Sequence, residues 1–147
     1  MTSQLGNITS GNATLVLTAE TVFPSGITLQ QFSTDQAFSM DEITVMETRL
    51  GLDGTLMAAY VPSSYTVTLN LEASSPSHQQ LTTLWSAIKA NKRPYECKLI
   101  ATLPAIKQIY TWSGGTLKSG TIVPPGKKTL EATAWKFEFA DLNITAY

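Results

Sequence analysis

The chain has 147 residues, of which 43% are hydrophobic and only 14% charged, and its formal net charge at pH 7 is −1. With no run of Lys or Arg it offers no stripe for the several phosphate contacts that direct nucleic-acid binding needs; the densest basic spots are Lys89 to Arg93 and Lys127–Lys128. One cysteine, Cys97, excludes an intrachain disulfide, and no apolar run is long enough to span a bilayer as a helix.

The length sets an expectation of one domain, residues 1–147, large enough to bury a core without staples. An average domain carries roughly 25% charge. A chain with less has less repulsion to keep it monomeric, which favours assembly; a β protein rich in Thr, Ser and Gln accounts for the same composition. Residues 1–12 have neither a basic start nor an apolar stretch, so no secretory signal is read there. Synthesis in a reducing cytosol is expected, and the Asn-X-Thr sequons at Asn7, Asn12 and Asn143 then read as chance products of a Thr-rich chain.

Residues 1–11 are polar with two glycines and read as a flexible N-terminal arm. Residues 12–19 alternate Ala13, Leu15, Leu17 and Ala19 against Asn12, Thr14, Val16 and Thr18, the pattern of a half-buried strand. Phe23-Pro24-Ser25-Gly26 reads as a turn, with a strand at 27–32 after it. Strands are expected at 43–50 and 55–61, joined through Gly51-Leu52-Asp53-Gly54, whose Asp-Gly pair is a strong hairpin signal. Residues 65–71 form the cleanest strand, with Tyr65, Val67, Leu69 and Leu71 on one face. A helix is expected over 76–91: Ser75 can cap it, Pro76 suits its first turn, and Leu81, Leu84, Trp85 and Ile88 make an apolar stripe. That stripe fits burial against a sheet, with a binding role for Trp85 as the alternative. Strands return at 95–103, 109–113 and 115–123, with Gly114-Gly115 read as the hairpin turn between the last two. A long strand at 130–140 places Trp135, Phe137 and Phe139 on one face, and a short β-type tail runs from 141 to 147. Strands, one helix, then strands again predict a mainly β fold: an antiparallel sandwich or barrel with one flanking α-helix and a long projecting hairpin.

Groups that carry chemistry are sparse. His78 is the only histidine and stands among Ser and Gln, with no nucleophile motif around any Ser. Cys97 alternates with Tyr95 and Leu99 and reads as a small buried hydrophobe. A zinc site fails on ligand count. Asp41-Glu42, the only adjacent carboxylate pair, lacks a calcium-loop pattern and reads as a solvated turn, and Ser113-Gly114-Gly115-Thr116 lacks the lysine of a phosphate-binding loop. No catalytic residue, cofactor or metal is expected.

The hairpin at 43–61 stands out. Its returning strand is apolar on both faces, with Leu56, Ala58 and Tyr60 on one and Met57, Ala59 and Val61 on the other. Monomers avoid exposing such a surface. Either the hairpin is buried in its own domain, or a neighbouring subunit covers it.

The early hairpin, the single helix at 76–91 and the late strand Ala132-Thr133-Ala134-Trp135-Lys136-Phe137-Glu138-Phe139 give an order that resembles the tail tube proteins of contractile-tailed bacteriophages, relatives of the tubes of type VI secretion and contractile toxin particles. The resemblance runs from about Asn12 to Tyr147 and implies hexameric rings, stacked into a tube inside a virion. It implies subunit contacts through Leu50, Gly51, Leu52, Asp53, Gly54, Leu56, Met57 and the C-terminal Tyr147, and partners among sheath, baseplate and terminator proteins. DNA would pass along the lumen without specific binding, and no membrane anchor is implied. The alternatives are a small β-sandwich that binds carbohydrate or peptide on Tyr110, Trp112 or Trp135, and an enzyme with an unrecognised site.

Overall fold

The computed structural model describes residues 13–29, 38–126 and 128–146. Among them are β1 (Thr14–Ala19), β2 (Phe23–Thr28), β3 (Phe38–Met40), β4 (Met46–Leu50), β5 (Leu56–Tyr60), β6 (Tyr65–Leu71), α1 (Pro76–Asn91), β7 (Cys97–Leu103), β8 (Gln108–Gly120), β9 (Thr133–Phe139) and β10 (Asp141–Ala146). The expected class holds: the fold is mainly β, antiparallel, with one helix. Eight strands form one sheet in the order β2-β1-β7-β8-β9-β6-β3, with β10 alongside β8; β4 and β5 form a sheet of their own.

The large sheet turns on β8. The first half of this 13-residue strand pairs with β7 on one side and β10 on the other, and its second half pairs with β9. Gly114 and Gly115, expected as a hairpin turn, are instead the bend within this single strand. Gly114 adopts a φ of +65°, and a side chain at Gly115 would run into the Phe139 ring and the Glu138 carbonyl. Glycine can serve a turn or a close approach of two backbones equally well, and here the second applies.

The bend brings two wings of the sheet onto one core. Leu15, Leu17 and Leu99 come from one wing and Val67, Leu69, Trp135 and Phe137 from the other, all fully buried. Trp112 joins the wings directly: its ring lies 6.4 Å from that of Phe139, and its Nε1–H donates to Met40 Sδ at 3.4 Å. The alternation read in 65–71 and around Trp135 appears as alternating burial in β6 and β9.

Helix α1 covers one side of this core. Ser75 caps it, its hydroxyl accepting from the Ser77 amide at 3.1 Å, and Pro76 occupies the first turn. Leu81 and Leu84 are fully buried, while Trp85 and Ile88 pack half-buried against the core. His78 is buried as well: Nδ1 lies 3.2 Å from the Thr133 hydroxyl, which also accepts from Trp135 Nε1 at 3.2 Å.

The expected turn at Phe23–Gly26 is not a turn. Glu20–Val22 reverses the chain, with Thr21 at a φ of 60°, and the Phe-Pro-Ser-Gly segment lies in β2 as an irregularity between the pairs Leu17↔Ile27 and Ala19↔Phe23. β2 is an edge strand, where proline removes no ladder bond. Several expected strands are shorter than read, the largest differences being starts at Met46 instead of 43 and at Thr133 instead of 130. The short tail forms β10, paired with β8. The N-terminal arm, residues 30–37 with the end of the strand expected at 27–32, Lys127 and Tyr147 lie outside the described residues.

Candidate assembly surface

The hairpin β4–β5 is built from local chemistry. The pairs Met46↔Tyr60, Glu47↔Ala59, Thr48↔Ala58, Arg49↔Met57 and Leu50↔Leu56 run to a loop closed by Gly51 N–H donating to the Thr55 carbonyl at 2.8 Å and Gly54 N–H to the Gly51 carbonyl at 3.0 Å. Gly54 takes a φ of +85°, which favours glycine. The Thr55 amide donates to Asp53 Oδ1 at 3.0 Å, and this bond holds the carboxyl below the usual aspartate range. Such a tip needs no help from the core.

Every residue of both strands is exposed. Leu52 is fully exposed, Leu50 is 70% exposed, Leu56 65% and Met57 52%. Of the two readings open from sequence, burial of the hairpin within its own chain is therefore excluded. The structure also refines the reading of two apolar faces. Residues directly opposite one another share a face, so Leu50, Leu56, Ala58, Met46 and Tyr60 form one apolar face, relieved only by Thr48. The other face carries Met57 and Ala59 but also Glu47 and Arg49 from β4. Met46, 49% exposed, extends this face beyond the residues expected from sequence, and Tyr60, already expected on it, is 70% exposed; the signal for Met46 was the alternation along β4. Leu50, Gly51, Leu52, Asp53, Gly54, Leu56 and Met57 thus come together at one tip, while Tyr147 cannot be placed with them.

Elsewhere the titratable groups whose pKa moves do so through burial or a neighbouring side chain. Burial pushes the Cys97 thiol up to about 11, and burial pushes the His78 imidazole down. Arg93 at 2.8 Å holds the exposed Glu20 carboxyl low, and Ser64, with Lys118 at 3.7 Å, does so for Glu138. Among the described residues no group of three or more His, Cys, Asp or Glu is placed to hold a metal ion, and no helix is long and apolar enough to cross a membrane. Trp112 and Trp135 are buried, so neither is the platform that a carbohydrate-binding reading requires, and Tyr110 is half-buried beside Trp112.

The folded antiparallel sheet with its one flanking helix is a fold shared with chains of contractile injection systems. The chain superimposes on a chain of the anti-feeding prophage baseplate with a TM-score of 0.60 at 11% identity, covering 99% of this chain and 98% of the other. A chain from the cap that terminates the anti-feeding prophage tube gives 0.60 at 12% identity, covering 100% and 95%. One from the sheath–tube complex of the PVC extracellular contractile injection system gives 0.55 at 14% identity, covering 90% and 88%. At these identities the likeness is one of fold. In sequence, the model of the family described as tail fiber protein gp32 matches residues 6–143, and the chain belongs to that family. No curated protein matches it in sequence.

Proposed function

We propose that the chain is a structural subunit of a contractile phage tail, a single tube-like domain that assembles into rings stacked as the inner tube. The observation that carries this reading is the hairpin: a locally encoded element with an apolar face that its own chain leaves uncovered. Such a face has to be covered in use, and the fold is shared with chains of a tube-bearing sheath complex, a baseplate and a tube cap. The subunit contacts comprise Leu50, Gly51, Leu52, Asp53, Gly54, Leu56 and Met57, with Tyr147 at a neighbouring subunit. The rings are six-fold, their partners are sheath, baseplate and terminator proteins, and the assembled chain resides in the virion after synthesis in the host cytoplasm. With its net charge of −1, the ring passes DNA without holding it. The role is architectural, not catalytic.

The baseplate and cap relatives support a second reading, a ring that starts or ends the tube without building its length. Sedimentation at rising concentration separates the two. A tube subunit passes from rings to an open series of larger species, whereas an end ring stops at one ring. A monomer that persists at every concentration overturns both.

A further inference from the structure

An apolar groove to which α1 contributes no lining residue lies among β3, β6, β7, β8 and β10. Phe38 and Met40 of β3 line one wall; Leu103, Tyr110, Trp112 and Leu142 line the other, around a volume of about 180 Å³. Two of its polar groups are already engaged: Trp112 Nε1–H donates to Met40 Sδ at 3.4 Å, and the Tyr110 hydroxyl donates to Gln108 Oε1 at 2.5 Å. An occupant therefore gains by burying apolar surface and has little to gain from hydrogen bonds with the walls. The volume has room for side chains, not for a whole element.

Two strand edges flank the groove. Among the described residues β3 pairs only with β6, and β10 pairs only with β8. β10 is six residues long, has no proline and no register shift, and exposes Ile144 at 55%. An unprotected edge of that kind is a template for another strand.

The same chain carries the matching piece. The β4–β5 hairpin is a two-stranded sheet, and such sheets are marginal in water without a third strand or a covered face. Its tip is apolar and uncharged except for Asp53, whose carboxylate turns back onto the Thr55 amide. The tip does not occupy the groove of its own chain, because every residue of both strands is exposed. The groove and the tip are different patches of one chain, and a contact between different patches repeats from copy to copy, closing into a ring or growing into a filament.

We propose that the groove of one copy receives the hairpin tip of a second copy, with Leu50, Leu52 and Leu56 in the apolar slot and a hairpin strand lying along the open edge of β10. This rests on the tube reading and names the acceptor of the hairpin within it.

Single-cysteine cross-linking tests the contact. Cys97 is buried, so it should react only slowly with maleimide in the native chain. Chains carrying Leu52→Cys are mixed with chains carrying Ile144→Cys and treated with a short bis-maleimide, and the mixture is imaged. A Ser86→Cys chain, with the cysteine on the exposed face of α1, serves as the control partner. The proposal predicts covalent dimers in the Leu52→Cys and Ile144→Cys mixture, at least tenfold above either variant alone or the control mixture. Tubes that form with Leu52→Cys joined only to itself or to Ser86→Cys overturn the groove as acceptor and leave the tube reading standing. A mixture with neither tubes nor dimers overturns both.

Discussion

Leu50 and Leu56 face each other across the hairpin, and replacing them together by Glu and Lys separates assembly from folding. Opposite charges directly across an antiparallel pair are favourable, so the Leu50→Glu, Leu56→Lys chain keeps its hairpin. Complete burial of a leucine contributes roughly 1.5–3 kcal/mol. The two side chains are 70% and 65% exposed, so covering what remains of each contributes about 1–2 kcal/mol, or about 2–4 kcal/mol per hairpin. At about 1.4 kcal/mol per factor of ten, the association constant for each contact falls by roughly 1.5–3 decades. Circular dichroism should give an unchanged spectrum and a melting temperature within a few degrees of the unassembled parent. Sedimentation should show loss of the large species at concentrations where the parent assembles. If the double variant unfolds, the hairpin is part of the core; if it assembles like the parent, the apolar face is not the contact. Either result refutes the reasoning.

Other changes probe the body of the fold. Leu84→Ala, at a fully buried position of α1, should cost roughly 2–5 kcal/mol in denaturant unfolding, and a loss below about 1 kcal/mol would show that the stripe is not core. Gly115→Ala, which presses on the Phe139 ring and the Glu138 backbone, should cost roughly 1–3 kcal/mol or more, whereas a neutral result would mean that the bend in β8 relaxes freely. With its thiol at about 11, Cys97 should label slowly at pH 8 in the native chain and rapidly in denaturant; fast native labelling contradicts its placement. Burial lowers the His78 pKa in the folded chain, so between its folded value and about 6.5 the unfolded chain binds more protons. The stability His78 contributes is complete above about pH 6.5 and falls as pH drops through the folded value. The unfolding midpoint should therefore decline from pH 7 to 5, less so in His78→Asn, and an identical slope in both would remove His78 as the cause.

The elements that could be read directly are those whose pattern is local. β6 and β9 alternate, α1 has its cap, its proline and its stripe, and the hairpin has its Asp-Gly tip; each keeps its identity in the fold. Glycine and proline misled because they solve two different problems. Pro24 and Gly26 look like a turn but lie in an irregular edge strand, and Gly114-Gly115 looks like a turn but lets one strand pass between two wings. β3 is three residues long, too short for periodicity to register. The groove draws on β3, β6, β7, β8 and β10, and placing those strands together depends on long-range pairing that no local pattern encodes. The hairpin tip could be read from sequence because one contiguous segment makes it; the limitation of its apolar surface to one face follows from register, which places Glu47 and Arg49 opposite Ala59 and Met57.

Electron microscopy of the purified, unmodified chain tests the central claim most directly, because under the proposed function the exposed apolar face of the hairpin meets a second copy as concentration rises. The account predicts rings with an open centre in end views and stacks of those rings in side views, becoming longer as concentration rises. Discrete compact particles of one subunit's mass at every concentration would contradict it.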